Sequence, residues 1–159
     1  MSKFKKFFIA ILAVAILATV FVAGCSGSSG GSTTVSKNGK IEITVDDITS
    51  TANYYDADVD GVTVEVFAVR ASDDTVRVAF NTCQVCYGSK KAYFVQSGKY
   101  FICQNCKNKF ATDSIGKSAS GCNPVPITSS NYTLSDGVIT ISKSYISANA
   151  YRFTTWKNN

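Results

Sequence analysis

The chain has 159 residues, six cysteines, no histidine and a formal net charge of +5. Without histidine there is no Ser-His-Asp triad, no Cys2His2 zinc site, no Rieske centre, no histidine-ligated catalytic zinc and no c-type haem attachment. The charge makes no case for nucleic acid: setting aside Lys3, Lys5 and Lys6 at the amino terminus takes the +5 to +2.

Those three lysines precede an almost wholly apolar run from Phe7 to Ala23, which closes with Val22-Ala-Gly-Cys25. A basic start, an apolar run and small residues before a cysteine form a lipoprotein signal with its lipobox. Residues 1–24 are then expected to be removed, and Cys25 to carry acyl chains such as palmitate that hold the protein on the membrane. An uncleaved anchor is the alternative, because the run is nearly long enough to span a bilayer. Either way the rest of the chain lies outside the cytoplasm. Residues 25–40 are rich in Ser, Gly and Thr, cannot bury apolar area, and are expected to form a flexible spacer. Residues 41–159 then suffice for one domain with a modest core.

The pattern across that domain is mostly strand. Ile41, Ile43 and Val45 alternate with polar residues, as do Val62, Val64, Val66 and Ala68, and then Val76, Val78 and Phe80. Short β-branched runs of this period suit a half-buried sheet. Further strands are expected from Ala92 to Gln96 and Lys99 to Ile102, joined at Ser97-Gly98, and around Val138–Ser142 and Tyr151–Thr155. One short helix is expected between Lys107 and Lys117. The fold class is therefore mainly β with little helix: one compact domain with a cysteine-rich ribbon that carries two CxxC knuckles.

Asp56-Ala-Asp-Val-Asp60-Gly61 copies the start of an EF-hand loop, but Phe67 stands where the bidentate Glu belongs, so it reads as an acidic hairpin turn. Tyr54, Tyr55, Tyr93 and Tyr100 read as sheet packing, and Trp156 as a core plug. No glycine-rich phosphate loop is visible, and nothing points to catalysis.

The chemistry lies in Cys83-Gln-Val-Cys86 and its near-echo Cys103-Gln-Asn-Cys106. The pattern is C-x2-C-x16-C-x2-C, and folding about Ser97-Gly98 carries Cys103 back toward Cys86, so that four sulfurs meet at one end of a ribbon. A two-residue gap lets both thiolates of one step reach one ion, and Gly88 and Asn108 tolerate the positive φ that the following turn often needs. Four thiolates suit zinc or an iron–sulfur cluster, and the spacing alone favours structural zinc. Thiol–disulfide exchange fits less well, since neither step opens a helix after a central strand. Between Cys83 and Lys117 six lysines face the single acid Asp113, which balances a net-negative thiolate centre.

Cys122, in Gly121-Cys-Asn-Pro-Val-Pro126, changes the reading. A closed four-cysteine zinc site has no use for it, and with Cys25 lipidated five cysteines remain, an odd number. Cys122 either joins the metal site or stays a free or intermolecular thiol.

Thr82-Cys-Gln-Val-Cys-Tyr87, Lys99-Tyr-Phe-Ile-Cys-Gln-Asn-Cys106, Phe110, Ile115-Gly116 and Gly-Cys-Asn-Pro-Val-Pro126 together resemble the FtrD-like family of membrane iron–sulfur proteins. The likeness extends upstream through Tyr55, Asp60-Gly61 and Val76-Arg-Val-Ala-Phe80, spanning roughly residues 41–127. The resemblance implies an extracytoplasmic iron–sulfur or metal-binding protein, encoded with high-affinity ferrous iron permeases and moving electrons during iron uptake. It implies Cys83, Cys86, Cys103, Cys106 and Cys122 as cofactor-binding residues, the first four as metal ligands, with an iron permease or associated redox protein as partner. Two departures stand out. Ser120 replaces an expected second glycine, and many relatives are fused to several transmembrane helices, which puts the partner in question rather than the cysteines.

Overall fold

Alternating apolar residues build the sheets. In the computed structural model, which describes residues 33–36, 38–117 and 121–157, the strands are β1 (Thr33–Ser36), β2 (Ile41–Thr44), β3 (Asn53–Val59), β4 (Val62–Arg70), β5 (Val76–Cys83), β6 (Phe94–Ser97), β7 (Tyr100–Cys103), β8 (Lys109–Ala111), β9 (Pro124–Ile127), β10 (Thr133–Ser135) and β11 (Val138–Ile141). The expected signal sequence, Cys25 and Ser120 lie outside the described residues. Thr33–Ser36, placed in the spacer by composition, instead pair as β1 in parallel with β3. The backbone edge of β3 offers hydrogen bonds whatever the side chains opposite it.

Five strands form the central sheet in the order β1-β3-β4-β5-β9, and three each form β10-β11-β2 and β6-β7-β8. The acidic segment makes the β3–β4 hairpin, as expected: Asp60 and Gly61 take φ of 51° and 82°, and the Gly61 N–H donates to Asp58 Oδ1 at 3.3 Å. Two consecutive positive φ values match the right-handed twist of a two-residue hairpin. Strand β3 itself was not expected, although Tyr55, Ala57 and Val59 alternate as buried residues along it.

The central sheet is covered on both faces, so the expectation of a half-buried sheet gives way at β4. Val64, Val66 and Ala68 join one apolar cluster with Ile43, Phe80, Ile141, Ile146, Phe153 and Trp156, while Phe67 and Val69 join another with Ala79, Cys83, Phe94, Phe101 and Cys103. Apolar residues on both sides are what a strand buried on both faces needs. The cysteine ribbon β6-β7-β8 docks on the second face through stacked Phe67 and Phe101 rings, whose centroids are 4.4 Å apart.

Two expected elements are corrected. The helix expected over Lys107–Lys117 is strand β8, paired to β7, followed by a 3-10 turn at Thr112–Ser114. Phe110 faces Phe94 edge-on at 5.8 Å, and the Thr112 N–H donates to the Lys99 carbonyl, so ribbon pairing overrides local propensity. The strand expected over Tyr151–Thr155 is the 3-10 turn Ala150–Phe153, continuing helix α1 (Lys143–Asn149). Ser142 caps α1 by accepting from the Tyr145 N–H, and Ile146, Ala150 and Phe153 are buried at helical spacings of four and three. Among the described residues no helix is long and apolar enough to cross a membrane.

Candidate metal centre

Three elements bring the cysteines together. Cys83 ends β5, where the pairing with β9 shifts register between Phe80 and Cys83, and Cys103 ends β7 opposite Phe94. An irregularity of this kind next to a site re-aims a side chain out of the regular pleat. Both knuckles hang on the Ala92-Tyr93 segment through backbone: Cys83 N–H donates to the Ala92 carbonyl at 2.9 Å, and Gln104 N–H to the Tyr93 carbonyl at 2.8 Å. The segment before β9 brings in the fifth cysteine, with Gln84 N–H donating to the Asn123 carbonyl at 3.1 Å.

The knuckles are not copies. In the second, Lys107 carries a φ of 63° and its N–H returns to the Cys103 carbonyl at 2.9 Å. The positive φ expected at Asn108 is therefore one residue earlier, and Gly88 has no positive φ. The first knuckle closes with Ser89 N–H on the Cys86 carbonyl at 2.7 Å, which makes no left-handed residue necessary.

All five expected site cysteines converge. The sulfurs of Cys83, Cys86 and Cys122 lie within 4.8 Å of one another, and so do those of Cys86, Cys103 and Cys106. Cys86 belongs to both groups. Its sulfur is 4.0 Å from that of Cys122, close to the ~3.8 Å that separates two sulfurs bonded at ~2.3 Å to one tetrahedral ion. The Cys83 thiol donates to the Cys122 carbonyl at 3.4 Å and accepts from the Cys86 N–H at 3.3 Å. Cys83 and Cys103 are fully buried, whereas Cys86, Cys106 and Cys122 are half-buried and form the outer edge.

The thiols ionise unequally. Burial pushes Cys83 and Cys103 up despite the knuckle N–H groups that face them. At Cys106 burial also opposes ionisation, but the Asn108 N–H and the thiols of Cys103, Cys122 and Cys86 outweigh it and bring the pKa below the ordinary thiol value. Cys122 is pushed up to about 11, chiefly because its thiol hydrogen-bonds toward Cys106, and burial adds to this. Cys106 thus ionises more readily than Cys83, Cys103 and Cys122.

Lys90, Lys91, Lys107 and Lys109 are exposed on the same ribbon, and none of them forms an ion pair among the described residues. Lys117 differs, lying 3.7 Å from Asp73. These lysines give the ribbon a surplus of exposed positive charge.

Sequence reasoning missed a buried polar network beside the centre. Glu65, only 6% exposed, accepts from the Asn81 amide and from Lys157 Nζ, which sits 3.1 and 3.2 Å from its two oxygens. The Asn81 side chain accepts from the Phe94 N–H at 2.7 Å, and the Asn81 carbonyl accepts from Trp156 Nε1–H at 2.7 Å. Two residues from Cys83, Asn81 thereby ties the carboxyl terminus, the ribbon and β5 together. The available signal was a lone glutamate inside the apolar run Val62–Val69. A groove of about 1110 Å³ between ribbon and sheet passes Glu65, Tyr93 and Lys99 and includes none of the cysteines.

This mostly β domain gathers five thiols in one place, a soft donor set that fits zinc or an iron–sulfur centre. The sequence profile of the family described as "Membrane iron-sulfur containing protein FtrD-like" matches residues 48–153, and the chain belongs to that family. The match runs past the expected limit near residue 127 to include α1 and the turn after it. No curated protein matched the chain.

Proposed function

We propose that this protein is a membrane-anchored, extracytoplasmic iron–sulfur protein that passes electrons or handles metal for an iron uptake system. The convergence of all five downstream cysteines, Cys122 included, carries the reading. Burial and hydrogen bonds to the sulfurs help set the potential of an iron–sulfur cluster. Here Cys83 and Cys103 provide the buried side, and Cys86, Cys106 and Cys122 the side open to a partner. Bound there, an iron–sulfur cluster supplies one-electron chemistry. The lipid anchor at Cys25, supported by the lipobox and by the description of the family as membrane proteins, belongs to the same proposal, as does an iron permease or associated redox protein as partner.

A structural zinc centre is the second reading. The spacing of the two knuckles and the packing of Cys83 and Cys103 into an apolar cluster favour it, because a metal that staples ribbon to sheet needs no redox role. Electrochemistry of the anaerobically purified protein separates the two. A reversible one-electron wave that shifts in Cys122→Ser supports electron transfer, and an electrochemically silent, metal-loaded protein supports the staple.

A further inference from the structure

The two three-sulfur groups need a common explanation. A single tetrahedral ion takes four thiolates at most, which leaves one of the five idle. Each group contains one whole Cys-x-x-Cys step and one further sulfur. Cys83 falls with Cys122, Cys103 falls with Cys106, and Cys86 belongs to both groups. The backbone favours the same division, although the Cys122 thiol also reaches toward Cys106 across it. Pro124, two residues after Cys122, pairs with Cys83 across β9 and β5, and the Cys83 thiol points at the Cys122 carbonyl. Cys103 and Cys106 belong to one knuckle, closed by its own Lys107 N–H.

We infer that the array holds two metal ions, one between Cys83 and Cys122 and the other between Cys103 and Cys106, with the Cys86 sulfur common to both. The inference rests on the reading of these thiols as metal ligands and specifies their division. Sharing one sulfur turns five thiols into two three-sulfur sites. Charge favours the same count: five thiolates around one divalent ion leave three uncompensated negative charges in a half-buried site, whereas two ions leave one. Uncompensated charge in a half-buried site is unfavourable, and the smaller residual charge is the less costly one. Each thiol that binds gives up its proton to solvent, with no change of oxidation state.

The test counts ions with cobalt alone as probe. The full chain, reduced and stripped of metal under argon, is titrated with Co2+, following the thiolate-to-cobalt absorption and counting bound ions by native mass spectrometry. Two Co2+ per chain are expected, falling to one in Cys122→Ser and to one in the mirror variant Cys106→Ser, each retaining thiolate absorption from the undisturbed half. One Co2+ in the parent chain, unchanged in Cys122→Ser, would overturn the inference in favour of a mononuclear tetrad. Two ions retained in both variants would overturn it as well, since the ions would then sit elsewhere. A parent chain with no thiolate–cobalt absorption would remove both this inference and the metal-centre reading beneath it, whereas a count of one removes the inference alone.

Discussion

The sulfurs of Cys86 and Cys122 stand 4.0 Å apart, although 36 residues separate them in the chain. One is in the first knuckle and the other in the turn before β9, so only the folded sheet brings them together. Cys122 therefore lies within the sulfur cluster, a fifth thiol that a plain two-step zinc ribbon does not have.

Loss of a thiol from either Cys-x-x-Cys step should unfold the domain in part. Cys83→Ser and Cys106→Ser are each expected to lower metal content and melting temperature together, because metal binding is also folding free energy. For a domain of this size each ~1 kcal/mol lost lowers the Tm by about 4 °C. Calorimetry on loaded and chelator-treated protein checks this. Full metal content with an unchanged Tm in both variants would rule out a shared site.

How much of this was legible in the sequence can be judged element by element. The runs at Val62–Ala68 and Val76–Phe80 announced β4 and β5, and the Ser97-Gly98 turn announced the ribbon, because apolar alternation and turn chemistry are local signals. Strand β3 was hidden by its own acidic residues, and α1 by a carboxyl-terminal stretch whose aromatic and β-branched residues suggest strand. The Ser142 cap and the Ile146-Ala150-Phe153 spacing were nevertheless present. The two Cys-x-x-Cys steps stand in the sequence itself. The approach of Cys122 to Cys86 was not legible there, since it depends on the β5–β9 pairing across the intervening ribbon.

Trp156 couples the carboxyl terminus to the site. Its ring lies 5.2 Å from Phe153 and its Nε1–H holds the Asn81 carbonyl, two residues from Cys83. Trp156→Ala should cost about 3–5 kcal/mol, the range for emptying a large aromatic site. Urea unfolding followed by circular dichroism measures it, the chain's only tryptophan having been removed. A loss under ~1 kcal/mol would show that the turn after α1 does not support the core.

Asp56 gives a pH dependence with a defined sign. Burial, then the Glu65 charge opposite it, raises its pKa from 3.8 to about 6, and its Oδ1 is buried without a hydrogen-bond partner. Between those values the folded state holds a proton that the unfolded state has released, so stability falls as pH rises from about 4 to about 6. Lys157 pulls the other way without cancelling the effect. Asp56→Asn should flatten that interval and be more stable than the parent at pH 7. An unchanged Tm–pH profile would show that Asp56 titrates as it does in the unfolded chain.

The anchor is tested separately from the domain. Cys25→Ser should block signal cleavage and acylation, which mass spectrometry of the membrane-extracted protein reads directly. A normally processed Cys25→Ser chain would contradict the lipobox.

The central claim is that the five thiols hold an iron–sulfur centre. The most direct measurement is anaerobic purification followed by an absorption spectrum and analysis for iron, acid-labile sulfide and zinc, on the parent chain and on Cys122→Ser. The account predicts a coloured parent protein containing iron and sulfide, with the spectrum altered or lost in Cys122→Ser. A colourless, zinc-loaded protein that is indifferent to Cys122→Ser would contradict it.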